Sequence, residues 1–225
     1  MKYIGTDIDR AHRLRRYQLV LPYRFATILD IGANIGQFSQ EMLDIFPDAQ
    51  LYAFEPISGC FARLKKISKR ANFHPFPYAL GNKNGDAEIH VSPYSQSSSI
   101  LPISELQKTL LPYTAGGHKE TIQMRRLDDI ATGIDLKPPV LIKMDVEGYE
   151  KEILLGGQET FKKTSVVFSE TSFVPLHEGQ PLADEIRSLL GTLGFEYRGF
   201  LGQKKNPRTG EALLEDSIFI KRVNI

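Results

Sequence analysis

Two groups of residues in this sequence have the types and spacing that chemistry needs. The first is Asp30-Ile31-Gly32-Ala33-Asn34-Ile35-Gly36, followed by Glu55-Pro56 about twenty residues on. Gly32 permits a tight turn and close approach of a ligand to the backbone, and Gly36 lets a helix start against the preceding strand. A helix starting there offers unpaired N–H groups and partial positive charge, which suits a pyrophosphate or an amino-acid carboxylate. Glu55 can accept hydrogen bonds from both hydroxyls of a ribose. Together the two elements point to an adenosine-type cofactor. A nicotinamide dinucleotide site would carry a third glycine, but Gln37 and Phe38 follow Gly36, so that alternative is disfavoured.

The second group lies in Ile142-Lys143-Met144-Asp145-Val146-Glu147-Gly148-Tyr149-Glu150, with Glu170 and His177 further on. Strand alternation puts Lys143 and Asp145 on one face, and the carboxyl ends of strands in an open α/β sheet are where ligands bind. A hydroxyl is a poor nucleophile until its proton is removed, so a carboxylate at that rim can act as base or orient an acceptor. Asp145 is the first candidate, and Glu147 and Glu170 flank it. Lys143 can tune a neighbouring carboxylate or bind an acidic acceptor, or it can be a structural ion pair. Glu147 is equally explained by the start of a helix. His177, in a loop, is an alternative base because imidazole titrates at about 6.5; a plain surface histidine is the simpler account. Asp145, Glu170 and His177 form a set able to hold a divalent cation, but spacing does not bring them together, and no metal is predicted.

These residues must be placed by regular elements, and from residue 26 onward apolar runs of strand type alternate with helical periods, the signature of a parallel sheet with helices on its faces. Strands are expected at 26–31, 49–56, 73–78, 140–145 and 164–170. The helix after the glycine turn carries Phe38, Met42, Ile45 and Phe46 at core spacing and stops at Pro47. Another is expected over 57–70, with Cys60, Phe61, Leu64 and Ile67 on one stripe, and a third over 182–193, closed by Gly194. A basic helix over 7–20, capped by Thr6 or Asp7, leads the chain. Residues 86–92 alternate as an edge strand or hairpin arm beside the sheet. Residues 92–120, rich in Ser, Pro and Gly, form a polar insertion with a short helix at 103–110 and are the candidate lid. Two β-patterned segments, 195–201 and 216–222, close the chain as an antiparallel hairpin.

A chain of 225 residues with no internal linker is expected to form one domain, 1–225, with 1–25 as a leading helical segment. Its 28 Lys and Arg nearly balance 27 Asp and Glu, which argues against a nucleic-acid partner. The single cysteine, Cys60, excludes an internal disulfide framework and suits a reducing, cytoplasmic setting. No run is long and apolar enough to be read as a membrane span. Nothing in the pattern specifies an oligomeric state.

The blocks DIGANIGQFS, AFEP, YALGNKNGDAEIHV, LDD at 127–129, LIKMDVEGYEKEILLGG and VVFSE, in that order, resemble the FkbM family of S-adenosylmethionine-dependent methyltransferases. The resemblance covers roughly residues 26–171 and is most specific in IKMDVEGYE. It implies an α/β class I methyltransferase (Rossmann-like) fold, a doubly wound, mostly parallel seven-stranded sheet ending in the antiparallel hairpin. It also implies S-adenosylmethionine as cofactor and methyl transfer to a hydroxyl of a natural-product or carbohydrate-type small molecule or glycan. By the same resemblance Asp30, Gly32, Ala33, Asn34 and Gly36 would hold the methionine end. Glu55 with Pro56 would take the ribose, Ala79 and Leu80 would border the adenine, and Ser98 would lie near the cofactor beside Asp145. The alternatives weighed against this are a nicotinamide-dependent oxidoreductase and a non-catalytic protein that keeps the cofactor pocket.

Overall fold

The computed structural model describes residues 7–67 and 70–222. Helix α1 (Asp7–Arg16) leads into β1 (Thr27–Ile31), α2 (Gln37–Ile45), β2 (Gln50–Phe54), α3 (Ser58–Ile67) and β3 (Phe73–Phe76). Then come β4 (Ala79–Gly81), β5 (Gly85–Val91), α4 (Glu105–Leu110), β6 (His118–Arg126) and α5 (Leu127–Ala131). The remainder is β7 (Val140–Met144), α6 (Glu150–Gly156), α7 (Gln158–Lys162), β8 (Val166–Ser172), α8 (Ala183–Thr192), β9 (Phe195–Lys205) and β10 (Ala212–Lys221). The expected Thr6 cap and the side chain of Ile67 lie outside the described residues.

Seven strands form one sheet in the order β3-β2-β1-β7-β8-β10-β9. All neighbouring pairs run parallel except those of β10, which is antiparallel to both β8 and β9. This is the doubly wound sheet with a terminal hairpin that the sequence pattern predicts, with a longer hairpin than the pattern marks. The chain lays down β1, β2 and β3 toward one edge, then returns to place β7 on the other side of β1. Ligands bind at such a reversal, where the loops after the two central strands diverge.

Both faces of the sheet are covered, and β1 shows it by alternation. Ile28 packs with Met42, Leu51, Leu64 and Phe168 on one side, whereas Leu29 and Ile31 pack with Phe54, Ile142, Ile153 and Phe161 on the other. Burying side chains of this size is worth about 1.5–3 kcal/mol each, so the two layers fix the strand ends that carry the polar residues.

A second sheet, β4-β6-β5, was not legible in the sequence. The segment 86–92 does not border the main sheet; β5 pairs antiparallel with β6, and β6 pairs parallel with β4. Within His118–Arg126 only Ile122 and Met124 turn inward, so this strand reads as a charged loop. The expected 92–120 insertion ends where β6 begins. The acidic pair in LDD is structural: Asp128 caps α7 through Thr160 N (2.8 Å) and Thr160 Oγ1 (2.7 Å), and Asp129 holds Asn84 (2.6 Å).

The two sheets meet where α6 crosses β4. A Cβ on Gly156 would lie 1.9 Å from the Gly81 carbonyl oxygen, so backbone packs on backbone there. Gly156→Ala is expected to cost at least the roughly 1–3 kcal/mol typical of overpacking, measured as a lowered urea midpoint with an unchanged slope. An unaltered midpoint would show that this crossing is loose.

Candidate functional site

The loops after β1 and β7 touch at the point of reversal. Gly32 (φ 79°) has no room for a side chain, since a Cβ would lie 1.9 Å from the Asp145 carbonyl oxygen. The glycine turn is thus required by two crossing backbones as well as by any ligand. Gly32 N and Ala33 N both donate to the Phe54 carbonyl, at 3.0 and 2.9 Å, which ties the turn to the end of β2. Asn34 (φ 50°) gives its N–H to Glu55 Oε2 at 2.8 Å and caps Ile35 N through Oδ1 at 2.9 Å. Helix α2 then starts at Gly36 (φ 90°) with no side-chain cap, leaving its first N–H groups available.

Glu55 is 4% exposed. Burial pushes its carboxyl up to about 7, even though the N–H groups of Ile57 and Asn34 both favour the charged form. Each oxygen has one backbone partner and keeps a lone pair for another donor.

A cavity of roughly 320 Å³ runs from this turn to the end of β8, within the range of small-molecule sites. Near Glu55 its walls are Pro56, Ile57, Tyr78, Ala79, Leu80 and Ile89, a flat apolar slot. Gly32, Ala33, Asn34, Ser98, Lys143, Asp145, Glu147 and Glu170 share the same cavity. Asp30 and Gly36 do not line it. Asp30 is fully buried, accepts from Ser39 Oγ at 2.6 Å and faces Lys143 Nζ at 3.4 Å. The close distance is an ion pair without hydrogen-bond alignment, since Asp30 Oδ1 has no hydrogen-bond partner.

Lys143 lies between Asp30 and Asp145, whose Oδ2 is 3.0 Å from Nζ, and its ammonium sits over the Phe38 ring. Burial works against the charge on Lys143, but Asp145 and Asp30 outweigh it and hold the ammonium above its ordinary range. Beyond Asp145 the charge balance fails. Carboxylate oxygens of Asp145, Glu147 and Glu170 all lie within 4.8 Å of one another. Burial and the neighbouring acids push Glu147 and Glu170 well above the carboxylate range. Oxygen donors so grouped have the chemistry of a hard-cation ligand set or of a proton-sharing cluster.

Among the cavity residues missed in the sequence are four polar ones that contact one another, Arg16, Tyr17, Glu41 and Asp216. Tyr17 donates to Glu41 Oε2 at 2.8 Å, and Arg16 reaches Glu41 and Asp216 at 3.9 and 3.8 Å. Their only sequence signal was the basic end of α1. Glu150 was also unmarked. It is 3% exposed and accepts from Val146 N and Gly148 N, and burial raises its carboxyl to about 7. His177 is not on the cavity wall. It is 1% exposed, its Nε2 lacks a partner, and burial lowers the imidazole to about 4. The candidate cation set of Asp145, Glu170 and His177 is therefore replaced by one in which Glu147 stands in for the histidine.

The expected lid is fastened to this rim. Ser99 Oγ donates to the Glu147 carbonyl at 2.7 Å and Ser104 Oγ to the Pro175 carbonyl at 2.8 Å, while within the segment Ser92 Oγ donates to the Thr114 carbonyl at 2.9 Å.

A family model described as the methyltransferase FkbM domain matches residues 30–198. The chain is similar to the 2-O-methyltransferase NoeI of Sinorhizobium fredii, 33% identical over 165 residues that cover 68% of this chain and 66% of the relative. It is also similar to the hexuronic acid methyltransferase AglP of Haloferax volcanii, 28% identical over 143 residues, covering 63% of this chain and 54% of AglP. The chain thus spans between half and two thirds of the length of these relatives. Among solved structures, a methyltransferase FkbM from Methylobacillus flagellatus superposes with a TM-score of 0.53 at 15% identity, covering 88% of this chain and 44% of the other. That likeness shows a shared class I methyltransferase fold.

Lys143→Met leaves Asp30 charged, buried and without its cation, and is expected to cost about 3–5 kcal/mol in urea unfolding. Adding Asp30→Asn should recover a large part of that loss. Additive single effects would mean that the two charges do not interact.

Proposed function

The chain belongs to the FkbM methyltransferase family, and from that premise we propose that it is an S-adenosylmethionine-dependent O-methyltransferase acting on a hydroxyl of a carbohydrate-type or natural-product small molecule. One observation carries the reading. A single cavity joins the uncapped start of α2 and the Glu55 carboxyl to the Asp145, Glu147 and Glu170 carboxylates. Of two related proteins, NoeI is named a 2-O-methyltransferase and AglP a hexuronic acid methyltransferase; the first supports an oxygen acceptor and the second a carbohydrate one.

The residues present fit the cofactor. Gly32, Ala33 and Asn34, with the first N–H groups of α2, suit the methionine carboxylate; Glu55 suits the ribose hydroxyls, and the slot at Pro56, Ala79 and Leu80 suits a purine. Ser98 closes the side of that slot. When bound, the cofactor supplies a methyl group on a sulfonium, open to in-line displacement by an oxygen nucleophile. Asp30 and Gly36 act one layer further back, Asp30 by fixing Lys143 and Gly36 by starting the helix.

Positioning and proton removal are left to the protein. Asp145 is placed by Lys143 and by the Gly32 crossing to accept or orient the acceptor hydroxyl. Glu147 and Glu170, with raised proton affinity, provide a place for the proton that the oxygen loses on forming its bond to carbon. His177 has no part in this. The 92–120 segment covers the acceptor side, and the chain works as one domain. No described helix is long and apolar enough to cross a membrane; with one buried free cysteine, the reading places the reaction in the cytoplasm.

Titration calorimetry with S-adenosylhomocysteine, beside NADH as control, tests the central claim. Glu55 binds hydroxyl donors best when ionised, and with its carboxyl at about 7 it is mostly protonated at pH 6 and mostly ionised at pH 8. Affinity for S-adenosylhomocysteine is therefore expected to rise roughly tenfold from pH 6 to pH 8, with proton release on binding, and Glu55→Gln should weaken binding and flatten the profile. Binding of NADH alone would overturn the function; a flat profile in the unmodified protein would remove Glu55 from the ribose site.

A further inference from the structure

Outside the cavity mouth three residues from distant parts of the chain converge on a surface that the cofactor does not need. Tyr94 and Tyr113, both in the insertion, are 43% and 51% exposed and meet edge to face, with ring centroids 5.6 Å apart and planes at 85°. Lys204, on β9, places its ammonium 5.7 Å from the centre of the Tyr113 ring. Among the described residues Lys204 makes no ion pair. Its charge is nevertheless felt at Glu147, so the platform stands beside the acid end of the cavity. Tyr94 also adjoins the cavity by donating its hydroxyl to Gln96, which lines the wall with Ser95.

The rings are exposed, but their frame is not loose. Leu111 and Thr114 on either side of Tyr113 are buried, and Gln107, itself 1% exposed, donates to Thr114 Oγ1 at 3.2 Å. The Tyr94 N–H is held by Ser92 Oγ at 3.1 Å. Two adjacent aromatics held about half exposed on a buried scaffold leave apolar surface open beside the cavity, and an exposed apolar patch of that kind marks a binding face.

We propose that Tyr94, Tyr113 and Lys204 form the acceptor subsite and that its occupant is a pyranose ring of a glycan. This deepens the proposed O-methyltransferase reading and rests on it. A pyranose has a C–H face that stacks on an aromatic ring and an equatorial girdle of hydroxyls. The tyrosines take the face. Lys204 donates to ring hydroxyls on one side, and the carboxylates of Glu147 and Glu170 accept from hydroxyls on the other, which brings one oxygen toward Asp145. A planar aromatic alcohol would use the rings but leave the ammonium and the two acids unmatched.

The probes are an uncharged and an acidic pyranoside, methyl β-D-glucopyranoside and methyl β-D-glucuronide, observed by saturation-transfer difference NMR on the full chain with S-adenosylhomocysteine present. Saturation is expected on the ring C–H protons of at least one glycoside. Tyr113→Ala and Tyr94→Ala should weaken it roughly five- to tenfold, the scale of one aromatic contact, while Tyr113→Phe retains it and Lys204→Ala weakens it severalfold. Affinity for S-adenosylhomocysteine should stay unchanged in all four variants, which also shows that they fold. Glycoside contacts that survive both alanine variants, or no contact in the unmodified protein that binds S-adenosylhomocysteine, would overturn the subsite. Failure to bind S-adenosylhomocysteine would instead bring down the methyltransferase reading with it.

Discussion

The arrangement depends on one buried cation. Lys143 sits in a strand covered on both faces, with 14% of its side chain exposed, and an ammonium there must be met by carboxylates. Asp30 meets it from the neighbouring strand β1, whose register places Asp30 beside Lys143, and Ser39 on α2 fixes Asp30 in turn. Asp145 meets it from the carboxyl end of its own strand. A chain of contacts thus runs from α2 through β1 and β7 to the cavity floor, so the adenosine end and the acid end share one framework. The Gly32 crossing locks the same two strands by sterics where Lys143 locks them by charge.

The sequence disclosed the parts of this framework that follow from periodicity and glycine placement. Strands buried on both faces read as continuous apolar runs, as 140–145 does, and the β1 turn announces itself by Gly32 and Gly36. Glu55 was found by its distance from that turn. What remained hidden depends on contacts between distant segments. The β6 strand carries two inward residues among seven polar or charged ones, too weak an alternation to see. Arg16 and Asp216 lie two hundred residues apart in the chain and come together only because the end of α1 reaches β10. His177 misled for the opposite reason: a histidine in a polar loop after a strand reads as exposed, whereas the isolated pairing of its backbone with Ile103 draws it under the insertion.

Asp30 shows how a residue can occupy the right motif and act differently from the obvious assignment. Its position at the end of β1 points to ligand contact, yet its side chain is fully buried and does not line the cavity. Its carboxylate acts through the charge it holds in place. The LDD segment, one of the blocks that carry the family resemblance, likewise turns its acids to the fold, where they cap a helix and clasp a turn. Family blocks mark positions that matter without distinguishing a ligand contact from a fold contact; burial and partners make that distinction.

The acid cluster is best understood through its proton affinity. One ammonium pairs with Asp145, and the side-chain carboxylates of Glu147 and Glu170 have neither an ion pair nor a hydrogen-bond donor among the described residues, so burial and mutual repulsion outweigh the more distant charges of Lys204 and Lys143 and raise both. A carboxylate with an ordinary pKa is a weak base toward an alcohol, and raising it brings base and operating pH together, which is where general-base catalysis is most effective. The cost is that such groups are protonated more of the time, so one member of the cluster must be kept ionised. Lys143 lies 3.0 Å from Asp145 Oδ2 and makes no ion pair with Glu147 or Glu170 among the described residues. On the proposed reading the cluster divides its work: Asp145, held by Lys143, orients the hydroxyl, and its two neighbours, poised to take a proton, receive the one the oxygen gives up.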